Sequence, residues 1–316
     1  MTASTDKIIT AEDLGNGGIL PTTYANEIIQ GPTEGSVILS RARHIPMPSR
    51  TRTMPVLDAM PLMYWVNGDT GLKQTTEQKW GNLTITAEEA AAIVPIPEAI
   101  IADSSIDLWG EIKPRLIAAR DQLIDSACLF GVNKPASFPE GIVKQAKTAK
   151  NTVAEGTGAD LGADVALLCE KLATQGFNVD GFACQPGLNW KLMAARDAEG
   201  RPVFVPNMQA AGTGTLYGYV MQEVKNGTWN PSEAVILAAD WSNFLVGIRQ
   251  DISYKLLDQA VISDETGKVV LNLAQQDCVA LRVTFRFGFQ VANPITQLQN
   301  DKTKRFPAGV ITPKAN

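Results

Sequence analysis

Residues 106–130 read IDLWGEIKPRLIAARDQLIDSACLF, and the spacing of their apolar side chains decides how the rest of the chain is read. Trp109, Ile112, Leu116, Leu123 and Ala127 recur at steps of three, four or seven, while Ile117, Ile124 and Cys128 widen the stripe on one side. Glu111, Lys113, Arg115, Asp121 and Asp125 fall mostly elsewhere. This is the 3.6-residue period of an amphipathic helix with one broad apolar face. Ser104 or Ser105 is placed to cap its start, with Asp107 in the first turn. Pro114 must kink the helix or restart it, and Gly131 is a natural stop. At about 1.5 Å per residue the rod approaches ~40 Å. The reading makes it the organising core element, with Leu116, Ile117, Leu123 and Ile124 buried against a sheet.

Composition bounds the rest. A chain of 316 residues with 45% apolar content supports real cores and a prior of about two domains. A formal net charge of −5 argues against tight, sequence-independent nucleic-acid binding over a large face. MTASTDKIITAED lacks the basic start and apolar core of a secretory signal. The most apolar window, Ala90 to Ala102, is too short to span a bilayer and contains Pro95 and Pro97. Cys128, Cys169, Cys184 and Cys278 are scattered, which reads as free thiols in a reducing compartment.

Outward from the helix, the flanks read mostly as strands and loops. Residues 1–53 form an extended arm with one short helix near Pro21–Gln30, and Arg41, Arg43, Arg50 and Arg52 surround His44. Those arginines suit pairing with acidic groups of a neighbour, or contact with DNA. Residues 54–98 alternate as a long hairpin around Asn67-Gly68-Asp69-Thr70-Gly71. An isolated hairpin is marginal in water, so this one must rest on its own domain or on another copy of the chain. Lys144 to Gly162 looks mobile. Asp164 to Gln175 is a second amphipathic helix facing inward with Val165, Leu168 and Leu172 and stopped by Gly176. FACQP and a short helix from about Pro186 follow. Strands are then expected at Leu216–Val224, Ala234–Ala238, Phe244–Ile248, Ile252–Leu256, Val269–Leu273 and Val279–Val291. The last twenty residues read as a polar, proline-containing tail over a surface.

Catalytic patterns are lacking. His44 is the single histidine and lies in the arm, so a Ser-His-Asp or Cys-His device has no base. No HExxH, paired Cys/His spacing or GxxxxGK[ST] occurs. The glycine runs at 156–162 and 212–218 do not open a helix behind a strand, and so read as loops. Asp240-Trp241-Ser242 reads as a turn at a strand end. Asp251, Asp258 and Asp264 show no shared-site spacing. No catalytic residue, metal or cofactor is expected.

Four stretches carry a family likeness. DQLIDSACLFGVNKPASFPEGI resembles a spine helix with its following loop, and FACQPGLNWKLMAARDAEGRPVF a tryptophan helix leading to Arg-Asp-x-x-Gly-Arg. AVILAADWSNFLVGIRQDISYKLL and QQDCVALRVTFRFGFQVANPITQL resemble paired strands with a closing x-Pro. In this order and at these separations, from about Ile19 to Leu298, the pattern resembles the major capsid proteins of tailed bacteriophages, with the Hong Kong-97-type α+β fold. The resemblance implies an N-terminal arm (1–53), an E-loop (54–98) and a P-domain (99–175 and 266–305) with its spine helix at about 104–131. It also implies an A-domain (176–265) and a C-terminal tail (306–316). In it, Trp109, Ile112, Leu116, Leu123 and Ala127 are the core of the spine.

The implied function is a shell subunit assembling through homo-hexamers and homo-pentamers into an icosahedral head around double-stranded DNA, without sequence-specific binding or membrane contact. Arg41, Arg43, Arg50, Arg52, Leu72, Lys73, Lys79 and Trp80 are the implied inter-subunit contacts. A portal is the implied partner, and separate scaffolding or decoration proteins can join it. Assembly would take place in the host bacterial cytoplasm. The family's type member cross-links an E-loop lysine to an asparagine with the help of a glutamate. Here the corresponding positions hold Asp277 and Thr284, so the shell is expected to be non-covalent. An encapsulin-type compartment is the alternative within shells, disfavoured by the long hairpin. A two-domain α+β enzyme is the alternative outside them.

Overall fold

The computed structural model describes residues 35–61, 63–66, 71–73, 75–104, 107–194, 214–263 and 266–314. The expected helix at Pro21–Gln30, the hairpin turn at 67–70, the Arg-Asp-x-x-Gly-Arg stretch and Asp264 lie outside the described residues. In chain order the elements are a helix Val37–Arg41, then β1 (Arg43–Pro46), β2 (Thr51–Ala59), β3 (Lys79–Thr86) and β4 (Glu88–Pro97). Helices Glu98–Asp103 and Leu108–Asp125 follow, the second running into a π-helical turn Ser126–Phe130, then a helix Ile142–Thr148 and β5 (Thr152–Ala154). Next come a helix Leu161–Thr174, β6 (Gly181–Cys184), a helix Leu188–Ala194, β7 (Gly214–Leu216), β8 (Tyr219–Glu223) and β9 (Ile236–Ala239). The chain closes with β10 (Phe244–Leu257), β11 (Val261–Ser263), β12 (Val269–Asn272), β13 (Cys278–Val291) and β14 (Ala308–Thr312).

Two large sheets share the work. The first has the order β1-β10-β13-β4 and the second β5-β14-β9-β6-β8-β7, while β2-β3 and β11-β12 are separate two-stranded ribbons. β10 runs unbroken where two strands were expected. Irregularities between Ile248 and Gln250 and between Gln250 and Ser253 absorb the break in periodicity, as bulges do. The E-loop return also differs from expectation. β3 pairs with β2, but residues 88–97 leave the hairpin and join β13 as β4.

The end of the chain corrects the expected surface tail. β14 lies between β5 and β9, with Ala308, Val310 and Ile311 fully buried. The stretch expected to be mobile, Lys144 to Gly162, instead contains part of a helix and β5. Its glycines form a tight loop, in which Gly156 and Gly158 donate N–H bonds of 2.7 and 2.6 Å to the buried Asp164 carboxylate. The helix 161–174 starts three residues earlier than its apolar period suggests, because Asp160 caps it through Ala163 N–H. It buries Val165, Leu168 and Leu172 against Phe182, Ile236 and Ile311. Residues 152–175 therefore belong with the six-stranded sheet and not with the spine.

The spine helix begins at Leu108 with Asp107 as its cap, the Asp107 carboxylate accepting from Gly110 N–H at 3.1 Å. Ser104 closes the preceding short helix instead. Pro114 sits inside the helix without dividing it, and Gly131 ends the π turn in the left-handed conformation expected of a stop (φ 73°). Its burial differs from the expected stripe. Trp109, Ile112 and Leu116 are half-buried, Ile117 and Leu123 are exposed, and Ala127 is buried. Only the last turns enter the core, where Ile124, Ala127, Cys128 and Leu129 are buried. Ile124, Cys128 and Leu129 share one cluster with Val37, Ile38, Phe138, Ile142, Phe244, Phe289 and Phe306. Nearer its start the helix meets the first sheet through polar groups instead: Lys113 Nζ lies 5.8 Å from the Tyr254 ring centre, and Arg120 lies 3.8 Å from Asp251.

The contrast predicts a stability pattern. Leu129→Ala, at a fully buried site, is expected to cost the free subunit about 2–5 kcal/mol in denaturant unfolding. Leu123→Ala should stay within ~0.5 kcal/mol or so. Equal losses would contradict the burial described.

Candidate assembly surface

The hairpin β2–β3 is held by a small apolar base. Ile45, Met47, Ile85, Ala87 and Leu245 are buried together, with Met54 and Leu83 packed on them. Gly288 makes the close approach possible, since a Cβ there would lie 2.7 Å from Ile85 Cγ2 and 2.8 Å from the Thr86 carbonyl oxygen. Beyond the base, apolar cover runs out. Met63 and Trp65 are fully exposed, Leu72 is 94% exposed and Trp80 62% exposed. Lys73 is exposed, and Lys79 lies 3.1 Å from Glu77 on the same ribbon. Apolar exposure this dense makes the ribbon the candidate interaction surface. Met63 and Trp65 are not among the anchors expected from the sequence, Leu72 and Trp80, which lie on the far side of the turn; their only signal is the apolar run Met63-Tyr64-Trp65-Val66.

The arm arginines divide. Arg50 pairs with Glu88 of its own chain at 3.2 Å, and Arg52 donates to the Pro46 carbonyl. Arg41 is near enough to Asp180 to favour that carboxylate's charged form, although burial is the larger influence and pushes Asp180 upward. Arg43 is exposed. The arm from Gly35 onward is thus integral to its own subunit: Val37 and Ile38 are buried, and β1 pairs in parallel with β10. His44 Nε2 is 2.7 Å from the Leu39 carbonyl oxygen, a structural contact.

The anchor of the arm is Asp125, which the sequence reading placed on the polar face. It is fully buried. Its carboxylate accepts from the Ser36 hydroxyl, from Val37 N–H at 3.1 Å, from Ile38 N–H at 3.2 Å and from Asn226 Nδ2 at 2.6 Å. Burial pushes its carboxyl above the ordinary range despite these four donors. One side chain therefore ties together the arm, the spine and the turn at Asn226. Asp121, Asp125 and Cys128 lie on one stripe, the only sequence signal that this acid faces inward.

Ser242 donates to Asp240 at 2.6 Å in the turn after β9, as expected of a strand-end turn. Thr284 Oγ1 on β13 lies 2.8 Å from the Ser253 hydroxyl on β10. Among the described residues no group of three or more His, Cys, Asp or Glu is arranged to hold a metal, and no helix is long and apolar enough to cross a membrane.

A spine helix, a sheet with a projecting hairpin and a second α/β lobe define the Hong Kong-97-type capsid fold. Residues 16–296 match the phage capsid family, and the chain belongs to that family. It is 24% identical over 282 residues to the major capsid protein of Staphylococcus phage 80alpha, across 87% of this chain and 82% of that one. A solved structure from Microbacterium phage Oxtober96 superimposes with a TM-score of 0.85 at 36% identity, over 97% of this chain and 100% of the other. One from Mycobacterium phage Cain gives 0.84 at 30% identity, over 98% and 100%. The capsid of a native GTA particle shares the fold, with a TM-score of 0.71 at 15% identity over 99% and 100%. The function is that of a major capsid protein, a structural component of the virion.

The buried carboxylate gives a test. Asp125→Ala leaves two backbone N–H groups and Asn226 without an acceptor, and is expected to cost about 3 kcal/mol of free-subunit stability. Asp125→Asn keeps one acceptor oxygen and should fall between. Unchanged melting of the alanine variant would show that the arm is anchored elsewhere.

Proposed function

We propose that this subunit assembles with copies of itself, through hexamers and pentamers, into a closed icosahedral shell around double-stranded DNA, with the hairpin as a clamp over the neighbouring subunit. The supporting observation is the hairpin itself: its base is built into its own subunit, while Met63, Trp65 and Leu72 have almost no cover there. Apolar surface of this size gains stability only when something covers it. Arg43 is the arm arginine best placed to meet a neighbour's acidic group. Assembly takes place in the host bacterial cytoplasm, with a portal at one vertex and separate scaffolding or decoration proteins as further partners. The −5 net charge suits DNA held by enclosure and not by tight electrostatic binding over a large face.

Replacing residues 63–79, the uncovered tip with Met63, Trp65 and Leu72, by a short glycine-containing turn should leave thermal unfolding of the free subunit nearly unchanged. Closed shells should fail to form, or fall apart at mild denaturant. Stable closed shells from the shortened variant would remove the clamp.

The shell is also non-covalent. With Asp277 and Thr284 at the cross-linking positions, no general base stands ready to take the lysine proton. Denaturing electrophoresis of particles should give one band near 34.0 kDa. A ladder that survives boiling would overturn this.

A further inference from the structure

The first sheet ends in a strand with one free side, and its backbone is marked for a partner. Glu98 N–H donates to the Asp277 carbonyl at 2.9 Å, and Cys278 pairs with Pro97 in the register that follows. In an antiparallel ladder the backbone groups of successive residues point alternately toward and away from the partner strand. Even-numbered residues of β4 therefore bond β13, and odd-numbered residues point out of the sheet. Pro95 and Pro97 occupy outward positions, where a missing N–H costs the sheet nothing. At the other end Ala87 N–H donates to the Arg50 carbonyl at 2.8 Å. Between these two stops lie Glu89, Ala91 and Ile93, whose outward N–H and C=O groups meet no further strand among the described residues. A window open over three outward residues, closed by prolines on one side and by the arm on the other, is a bounded docking edge and not an unprotected one.

Beside this window a cleft of about 170 Å³ opens between the sheet and the spine, lined mostly by apolar residues, among them Ala90, Leu123, Phe285 and Phe287, together with Glu88, Glu89 and Asn133. A 150 Å³ apolar cavity holds a benzene ring, so this cleft has room for one aromatic side chain. Its lining includes the exposed Leu123 that the spine's own subunit leaves uncovered.

The same chain carries a segment of matching form. Met63–Val66 is apolar and pairs with no strand among the described residues. In an extended backbone Met63 and Trp65 point to one face, and Tyr64 and Val66 to the other. We infer that Met63–Val66 of a second copy adds to the β4 edge at Glu89–Ile93 as a fifth strand, with Trp65 seated in the cleft at Leu123 and Phe285. Backbone bonds supply the affinity and the aromatic pocket the register, as in other strand additions. Trp in a desolvated pocket is also the residue type on which binding energy concentrates. This inference rests on the clamp reading and names the clamp's socket.

Ala91→Pro removes one outward N–H at a position type the strand already fills twice with proline. The free variant should melt like the parent and form no closed shells, while Ala91→Ser assembles normally. Shells from Ala91→Pro as stable as the parent's would overturn the docking edge. If Ala91→Pro lowers the melting temperature, a cysteine pair decides: Tyr64→Cys and Ala91→Cys point to the same face in the proposed pairing. Oxidised shells of the double variant should give an inter-subunit ladder without reductant that neither single variant gives. No ladder overturns the docking edge. If the hairpin shortened across residues 63–79, which removes the docking segment, still abolishes assembly, the clamp stands and only the socket is lost; if it assembles, both fall.

Discussion

The antiparallel pairing of β10 with β13 is the constraint on which the subunit depends. Each strand has fourteen residues, long enough to carry β1 along one flank, β4 along the other, the hairpin base on one face and the spine on the opposite face. Glycines at 247 and 288 are register partners on adjacent strands, and both are crowded by the hairpin base. A side chain at either would lift the hairpin off the sheet. The ladder thus fixes where the projecting arm leaves the body. The ion pairs at its root, Arg50 with Glu88 and Arg286 with Glu89, are solvent-facing and add little by comparison.

The sequence was most informative where one element explained its own boundaries. Gly131 and Gly176 stop their helices in the left-handed conformation, and the inward face of the 161–174 helix follows from Val165, Leu168 and Leu172 alone. It was least informative where burial depends on distant partners. The spine's period is real, but period cannot say whether Leu123 faces its own sheet or space left for another molecule. Asp125 looked like a solvated charge because its four donors come from residues about ninety to a hundred positions away. The run Ala308–Thr312 is too short to show alternation, and both of its faces are covered, so its strand character lies in neighbours that the local sequence does not reveal. For the candidate surface, Leu72 and Trp80 were legible as apolar residues in a polar tip. Met63 and Trp65 were not, because a run of apolar residues before a turn reads equally well as a buried strand.

The core is divided in a way that suits a subunit with two tasks. One cluster joins the end of the spine, the arm and both sheets; another fills the six-stranded sheet and its helix. Neither draws on the apolar residues of the hairpin tip. Folding of the body and covering of the tip are therefore energetically separable, so the chain can be stable alone and still have a strong reason to associate. The Asp125 node fits the same division: a buried charge with every partner in its own chain fixes geometry without reaching outward.

The position of β14 has a consequence for how the subunit is made. It is the strand translated after all the others described, yet it lies inside the six-stranded sheet, between β5 and β9. Until it emerges from the ribosome, β5 has no partner and β9 has only β6. Synthesis at about 5–20 residues per second leaves the half-built lobe waiting for this strand, and such distant pairings form slowly. A chain that stops short of β14 cannot complete the lobe. Placing the late strand inside the sheet, one in from its edge, makes closure of the lobe a check that synthesis has passed Thr312.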